Sequence, residues 1–188
     1  MKTEQFFVLS DKNSKGAFNA YINLEGMKTL SLFRGEIQAT KPVNLSKING
    51  NKLFDLISAG NGMYLLRNKV FETFEVNKIT GWGYIPSIIH VGKGENILDY
   101  GLLTVKGRCG PMDFSKSEIF IKQPFTPTGT ALKVKRGLYF DQNTWDGSDI
   151  FTPENTLFTF ITEQVKLILI EKKFTNLSIE CLEDFEIY

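Results

Sequence analysis

The sequence predicts a mixed α+β protein, rich in strands, with two related strand–helix–turn–strand units packed together and few, short helices. Three observations lead there. The chain repeats itself: Asn68–Tyr84 and Glu163–Ile179 share one pattern without a gap. Val70 falls on Val165, Phe74 on Leu169, Lys78 on Lys173, Ile79 on Phe174, Thr80 on Thr175 and Gly81 on Asn176. Self-similarity of this kind constrains architecture more than any single motif. Most other apolar runs are short and bounded by turn residues, as strands are. Helical periodicity is confined to the two repeated stretches.

Within each copy the apolar residues recur on one helix face: Val70, Phe71 and Phe74 in the first, Val165, Ile168 and Leu169 in the second. Thr162 is placed to cap the second helix through its hydroxyl, and in the first copy only Asn68 could do so. Gly81 and Asn176 are the residue types that most readily take the left-handed conformation ending a helix, and they are expected to end these two. Upstream, with a one-residue indel, Asp55-Leu56-Ile57 stands opposite Asp149-Ile150-Phe151, and Met63–Leu66 opposite Phe158–Ile161. The repeat units are therefore 55–86 and 149–180. Two copies cannot form a solenoid, so two packed lobes are expected.

Taken in order, residues 5–9 read as a buried strand and Asp11–Gly16 as a turn cluster. Phe18, Tyr21, Ile22 and Leu24 belong to the next element. Leu30–Ile37, with Gly35 inside it, reads as a strand or bulge. Lys41-Pro42 interrupts, and Val43-Asn44-Leu45 resumes. This gives a β-rich N-terminal segment, 1–50, ahead of a main α+β region, 51–188, unless the whole is one compact domain. After the first unit, Pro86–Val91 and Leu98–Val105 read as strands separated by a Gly92–Asn96 turn. Ile119–Ile121 is a brief strand and Pro124–Thr130 the most loop-like stretch. Leu132–Phe140 alternates as a strand with one basic side.

The chain has 188 residues and 42% hydrophobic content, enough for a real core and too apolar for disorder. A net charge of +1 creates no global field for nucleic acid or an acidic membrane. No apolar run reaches the ~18 residues of a membrane span, and the N-terminal apolar run is too short for a secretory signal. Cys109 and Cys181 stand far apart without a C-x-x-C partner, so free thiols in the cytoplasm are the expectation.

Tests for chemistry mostly return structural answers. His90 is the single histidine, and its place in Ile88–Val91 suits a hydrogen-bonded strand residue. Asp141-x-Asn143-x-x-Asp146-Gly147 is one residue too long for an EF-hand loop. An Asx-type turn is expected there instead, with Asp146, Ser148 and Asp149 satisfying backbone amides and Trp145 anchoring the turn. No cofactor and no metal are expected. Lys133, Lys135 and Arg136 form a small basic cluster better suited to a solvated face than to nucleic acid.

Asp55-Leu56-Ile57, Leu65–Pro86, Tyr100–Val105, Asp113–Ser117, Gly147–Phe151 and Thr162–Leu177 occur in an order that resembles a bacterial immunity-protein family, formerly a domain of unknown function, encoded beside polymorphic secreted toxins. The resemblance covers roughly residues 53–182. Arg67, where that family would carry a capping serine, and the Lys122–Val134 loop depart from it. The resemblance implies a cytoplasmic protein that binds and neutralises a cognate toxin domain without catalysis.

Function is therefore expected to reside in a surface. The expectation is a non-catalytic binder whose candidate residues are Trp82, Tyr84, Arg108, Asp113, Trp145, Asp146, Ser148 and Asp149. Its partner would be a toxin domain, with neither nucleic acid nor membrane. The alternatives are an enzyme or small-ligand site at Asp146, Ser148 and Asp149, and a self-assembling module that forms a homodimer. Carboxylates converging with a cation in a deep pocket would favour the enzyme; carboxylates tied to backbone amides would count against it.

Overall fold

The two repeated helices end identically at the level of the backbone. In the computed structural model, which describes residues 4–24, 28–37, 41–92, 94–124, 126 and 128–188, Lys78 and Lys173 have φ of 55° and 54°, and Gly81 and Asn176 have φ of 84° and 64°. Ile79 N–H donates to the Phe74 carbonyl, and Phe174 N–H to that of Leu169. Each unit is a hairpin, a helix and a returning strand. In the first these are β4 (Leu56–Ser58), β5 (Tyr64–Arg67), α2 (Asn68–Val76) and β6 (Trp82–Gly92). In the second they are β12 (Ile150–Pro153), β13 (Thr159–Thr162), α3 (Glu163–Glu171) and β14 (Leu177–Cys181).

The likeness extends further than the sequence showed. β8 (Tyr100–Val105) lies antiparallel between β5 and β6, and β1 (Phe6–Asp11) lies antiparallel between β13 and β14. β2 (Asn19–Ile22) pairs parallel with β4, as β9 (Gly107–Cys109) pairs parallel with β12. The strand orders β6-β8-β5-β4-β2 and β14-β1-β13-β12-β9 match position for position. β1 and β2 are consecutive strands in the chain, as are β8 and β9. Each half thus sends its first strand into the other half's sheet and keeps its second.

β3 (Val43–Asn49) pairs antiparallel with β2 and parallel with β6, closing β3-β2-β4-β5-β8-β6 into a six-strand barrel. β7 (Glu95–Ile97) adds to β6. A third sheet holds β10 (Glu118–Lys122), β11 (Leu132–Arg136) and β15 (Glu186–Ile187). The strand-rich α+β class with short helices is as expected; barrel closure was not anticipated.

β1 explains its own composition. Phe7 and Leu9 enter a core shared with the barrel and both repeat helices, while Phe6 and Val8 enter a second, aromatic core with Phe140, Phe151 and Phe160. A strand buried on both faces reads as a continuous apolar run, and the prediction of a buried strand over residues 5–9 holds. Leu30–Ile37 is a correction: Thr29–Phe33 forms a short helix, α1, with Leu32 and Phe33 buried. Gly35, at φ 66°, ends it in the left-handed conformation. A single turn is too short to display periodicity. Capping also differs. Thr162 occupies the N-cap position of α3, but its hydroxyl lies 3.4 Å from Asp149 Oδ1. Asn68 is already helical, and its Oδ1 accepts from Tyr84. Lys93 in the Gly92–Asn96 turn, and Phe125 and Pro127 in the 124–130 loop, lie outside the described residues.

Candidate functional site

Asp149 begins the second repeat unit, and its carboxylate goes to the first. Oδ2 accepts from Thr80 N–H and Thr80 Oγ1, each at 2.8 Å, and Asp149 N–H donates back to Thr80 Oγ1. Asp55, its counterpart, does the same in reverse. Its Oδ2 accepts from Thr175 N–H at 2.9 Å and Oγ1 at 2.7 Å, and its own N–H donates to Thr175 Oγ1. Backbone bonds follow suit: Ile150 N–H to Thr80 O matches Leu56 N–H to Thr175 O, and Lys106 N–H to Gly81 O matches Lys12 N–H to Asn176 O. Residue i of one unit meets residue j of the other, and j meets i, as across a two-fold interface. Burial works against the charge on Asp55, but the Lys69 ammonium at 2.6 Å and the Thr175 donors outweigh it and lower its pKa.

The rest of the predicted polar site is spent in the same way. Asp146 Oδ2 accepts from Arg108 N–H and Oδ1 from Ser148 N–H, the expected Asx-type turn. Trp145 anchors it: the ring meets Phe6 edge-on at 5.0 Å and Nε1 donates to Ser148 O. Ser148 packs its Cβ where a side chain at Gly81 or Gly107 would have to sit. The Arg108 guanidinium donates to the carbonyls of Val105, Gly107 and Arg34, the last capping the C-terminus of α1. Asp113 holds a 3₁₀ turn through Ser115 N–H and Oγ, with Lys116 Nζ 3.4 Å from Oδ2. Asp113, Lys116 and Asp141 line an open depression of about 570 Å³. Asp141, too, is engaged, by Asn143 N–H and Nδ2. His90, on an exposed part of β6, sits between Asn96 and Asn44 at 2.7 and 3.0 Å, as a hydrogen-bonded strand residue should.

Trp82 and Tyr84 are placed differently. Both lie on β6 beside α2, with Trp82 at 5.5 Å and Tyr84 at 4.9 Å from the Phe71 ring. Trp82 Nε1 donates to Ile79 O, which fixes the indole. Tyr84 is 42% exposed, and its ring lies across Gly101, where a Cβ would come within 2.1 Å of it. With Asn68, Glu72 and Glu75 these rings line an open groove of about 280 Å³. Sequence reasoning named the two β6 aromatics but assigned Phe71 only to the core and passed over Glu72 and Glu75. The available signal was their i, i+3 spacing beside Phe71 on α2.

The geometry thus defines a barrel-containing α+β protein with braced corners and an aromatic groove. No protein-family model matches the chain, and no curated protein matches it significantly.

Proposed function

We propose that this chain is a non-catalytic protein-binding module, an immunity protein that neutralises a cognate secreted toxin by direct contact in the cytoplasm. The observation that carries the reading is the use made of its polar residues. Asp55, Asp113, Asp146, Asp149 and Arg108 are all engaged by backbone or neighbouring side chains, which favours a rigid scaffold over a reaction centre. The enzyme alternative at Asp146, Ser148 and Asp149 draws less support for the same reason. A toxin interface of ordinary size would cover about 1,200–2,000 Å², with Tyr84 and Trp82 as aromatic anchors. Co-expression with the toxin encoded beside its gene tests this. Cells should survive with the protein and die without it; equal killing in both would end the reading.

A homodimer is a second reading with its own support. One edge of β10 is unpaired among the described strands, and Ile119 and Ile121 are 53% and 58% exposed. An antiparallel pairing of two copies about Phe120 would set Glu118 against Lys122 and Ile119 against Ile121 in both directions. Ile121→Lys should abolish such a dimer in sedimentation experiments; a wild-type protein that stays monomeric throughout would dismiss it.

A further inference from the structure

We propose that the groove formed by Phe71, Trp82, Tyr84, Glu72 and Glu75 takes the guanidinium of an arginine presented by the partner protein. The proposal rests on the binding-module reading and gives that partner a chemistry. Three features of the groove select a planar cation. Its floor is aromatic, and tryptophan and tyrosine faces attract cations electrostatically. Glu72 and Glu75 stand exposed one helical turn apart on its rim, and neither takes part in an ion pair among the described residues. Like charges at this spacing repel, and an arriving cation relieves that repulsion. The residues lining the groove include no lysine or arginine. Lys69, on the same helix, is held by Asp55 at 2.6 Å. Arginine suits the site better than lysine because its fork meets carboxylates while its plane stacks on rings.

The second half of the molecule shows what the equivalent place does when it is supplied from within. By strand register, Gly101 beneath Tyr84 corresponds to Phe7: Gly101 faces Leu66 and Pro86, and Phe7 faces their counterparts Ile161 and Cys181. Phe71 corresponds to Lys166, whose ammonium lies 3.9 Å from the centre of the Phe7 ring. Glu72 and Glu75 correspond to Leu167 and Ile170. One half therefore has an aromatic ring, its own cation and no rim carboxylates. The other has the aromatic floor and two rim carboxylates, with phenylalanine in place of the lysine.

The test titrates the intact protein with N-acetyl-arginine methylamide while the Trp82 indole N–H resonance is followed by NMR. N-acetyl-citrulline methylamide serves as the neutral isostere. Arginine should shift the resonance and citrulline should not. Glu72→Gln/Glu75→Gln, which alters only exposed helix positions, should weaken arginine binding roughly fivefold. Equal response to the two amides, an unmoved Trp82, or an unweakened double variant overturns the proposal. Toxin protection separates it from the reading beneath it. If wild type and double variant protect equally, the groove is not the contact while the immunity reading stands. If wild type fails to protect yet arginine binds as described, the immunity reading falls and the cation site survives it.

Discussion

At the scale of single residues, the two aspartate–threonine corners are the most specific device in the molecule. A hydrogen bond to a charged group contributes about 1.5–3 kcal/mol, so Thr175→Val and Thr80→Val should each lower stability by that amount in urea unfolding. The pH dependence has a definite sign. The folded-state pKa of Asp55 is below its ordinary value of 3.8, so its contribution is full above that value and is lost as pH falls through the folded pKa. Asp113 and Glu186 are lowered as well, Glu186 to about 2 by Lys122, Arg136 and Tyr188, so the acid limb is shared. Asp55→Asn should destabilise the protein at pH 7 and make its urea midpoint fall less steeply between pH 5 and pH 3 than that of wild type. The thiols divide too. Burial, with Asp146 nearby, pushes Cys109 up to about 12, whereas Cys181 is only half-buried. Iodoacetamide at pH 8 should label one thiol in the native protein and both after unfolding.

At the scale of elements, the equivalent turn positions Gly81 and Asn176 show why a shared conformation does not make residues interchangeable. A Cβ at Gly81 would lie 2.0 Å from the Ile150 carbonyl oxygen. Asn176 instead places its amide between Leu56 O and Ser14 N–H, at 2.9 and 3.0 Å. Gly81→Ala should therefore cost roughly 2–4 kcal/mol, from left-handed strain and overlap together. Asn176→Gly should cost about 1–2 kcal/mol, from lost hydrogen bonds alone. Urea midpoints of the two variants decide the order. The left-handed turns at Gly81 and Asn176 were legible by residue type, but the expectation that they end the helices is corrected: Lys78 and Lys173, which no residue type announces, do so three residues earlier. The helix over Thr29–Phe33 was not legible, since one turn carries no period and its C-terminal cap comes from Arg108, far along the chain. The groove was half legible. Trp82 and Tyr84 announced themselves by type, but Glu72 and Glu75 look like any solvated helix face until β6 is laid beside them.

At the scale of the whole molecule, reciprocal strand exchange predicts one unfolding transition. Each half lacks a central strand without the other, so neither has a complete sheet of its own. Trp82 and Trp145 report on the two halves separately. Trp82→Phe and Trp145→Phe variants should give fluorescence midpoints that coincide once each variant is compared with its own circular dichroism. Separated midpoints would mean that the halves fold independently. The exchange was invisible in the sequence because its reciprocal half, the insertion of β1, depends on pairings from Leu9 with Thr159 to Phe7 with Cys181, most of the chain apart. Nothing local marks a partner at that distance. Closure of the barrel by β3 and β6 is a parallel pairing of the same non-local kind.

The position of β1 also governs when the molecule can form. Its synthesis precedes that of both its neighbours by a long stretch of chain, from Leu9 to Thr159 and from Phe7 to Cys181. At synthesis rates of ~5–20 residues per second, Phe6–Leu9 wait on the order of ten seconds for a partner. During that interval four consecutive large apolar side chains are available to chaperones or to other nascent chains. Slower translation late in the message would lengthen their exposure.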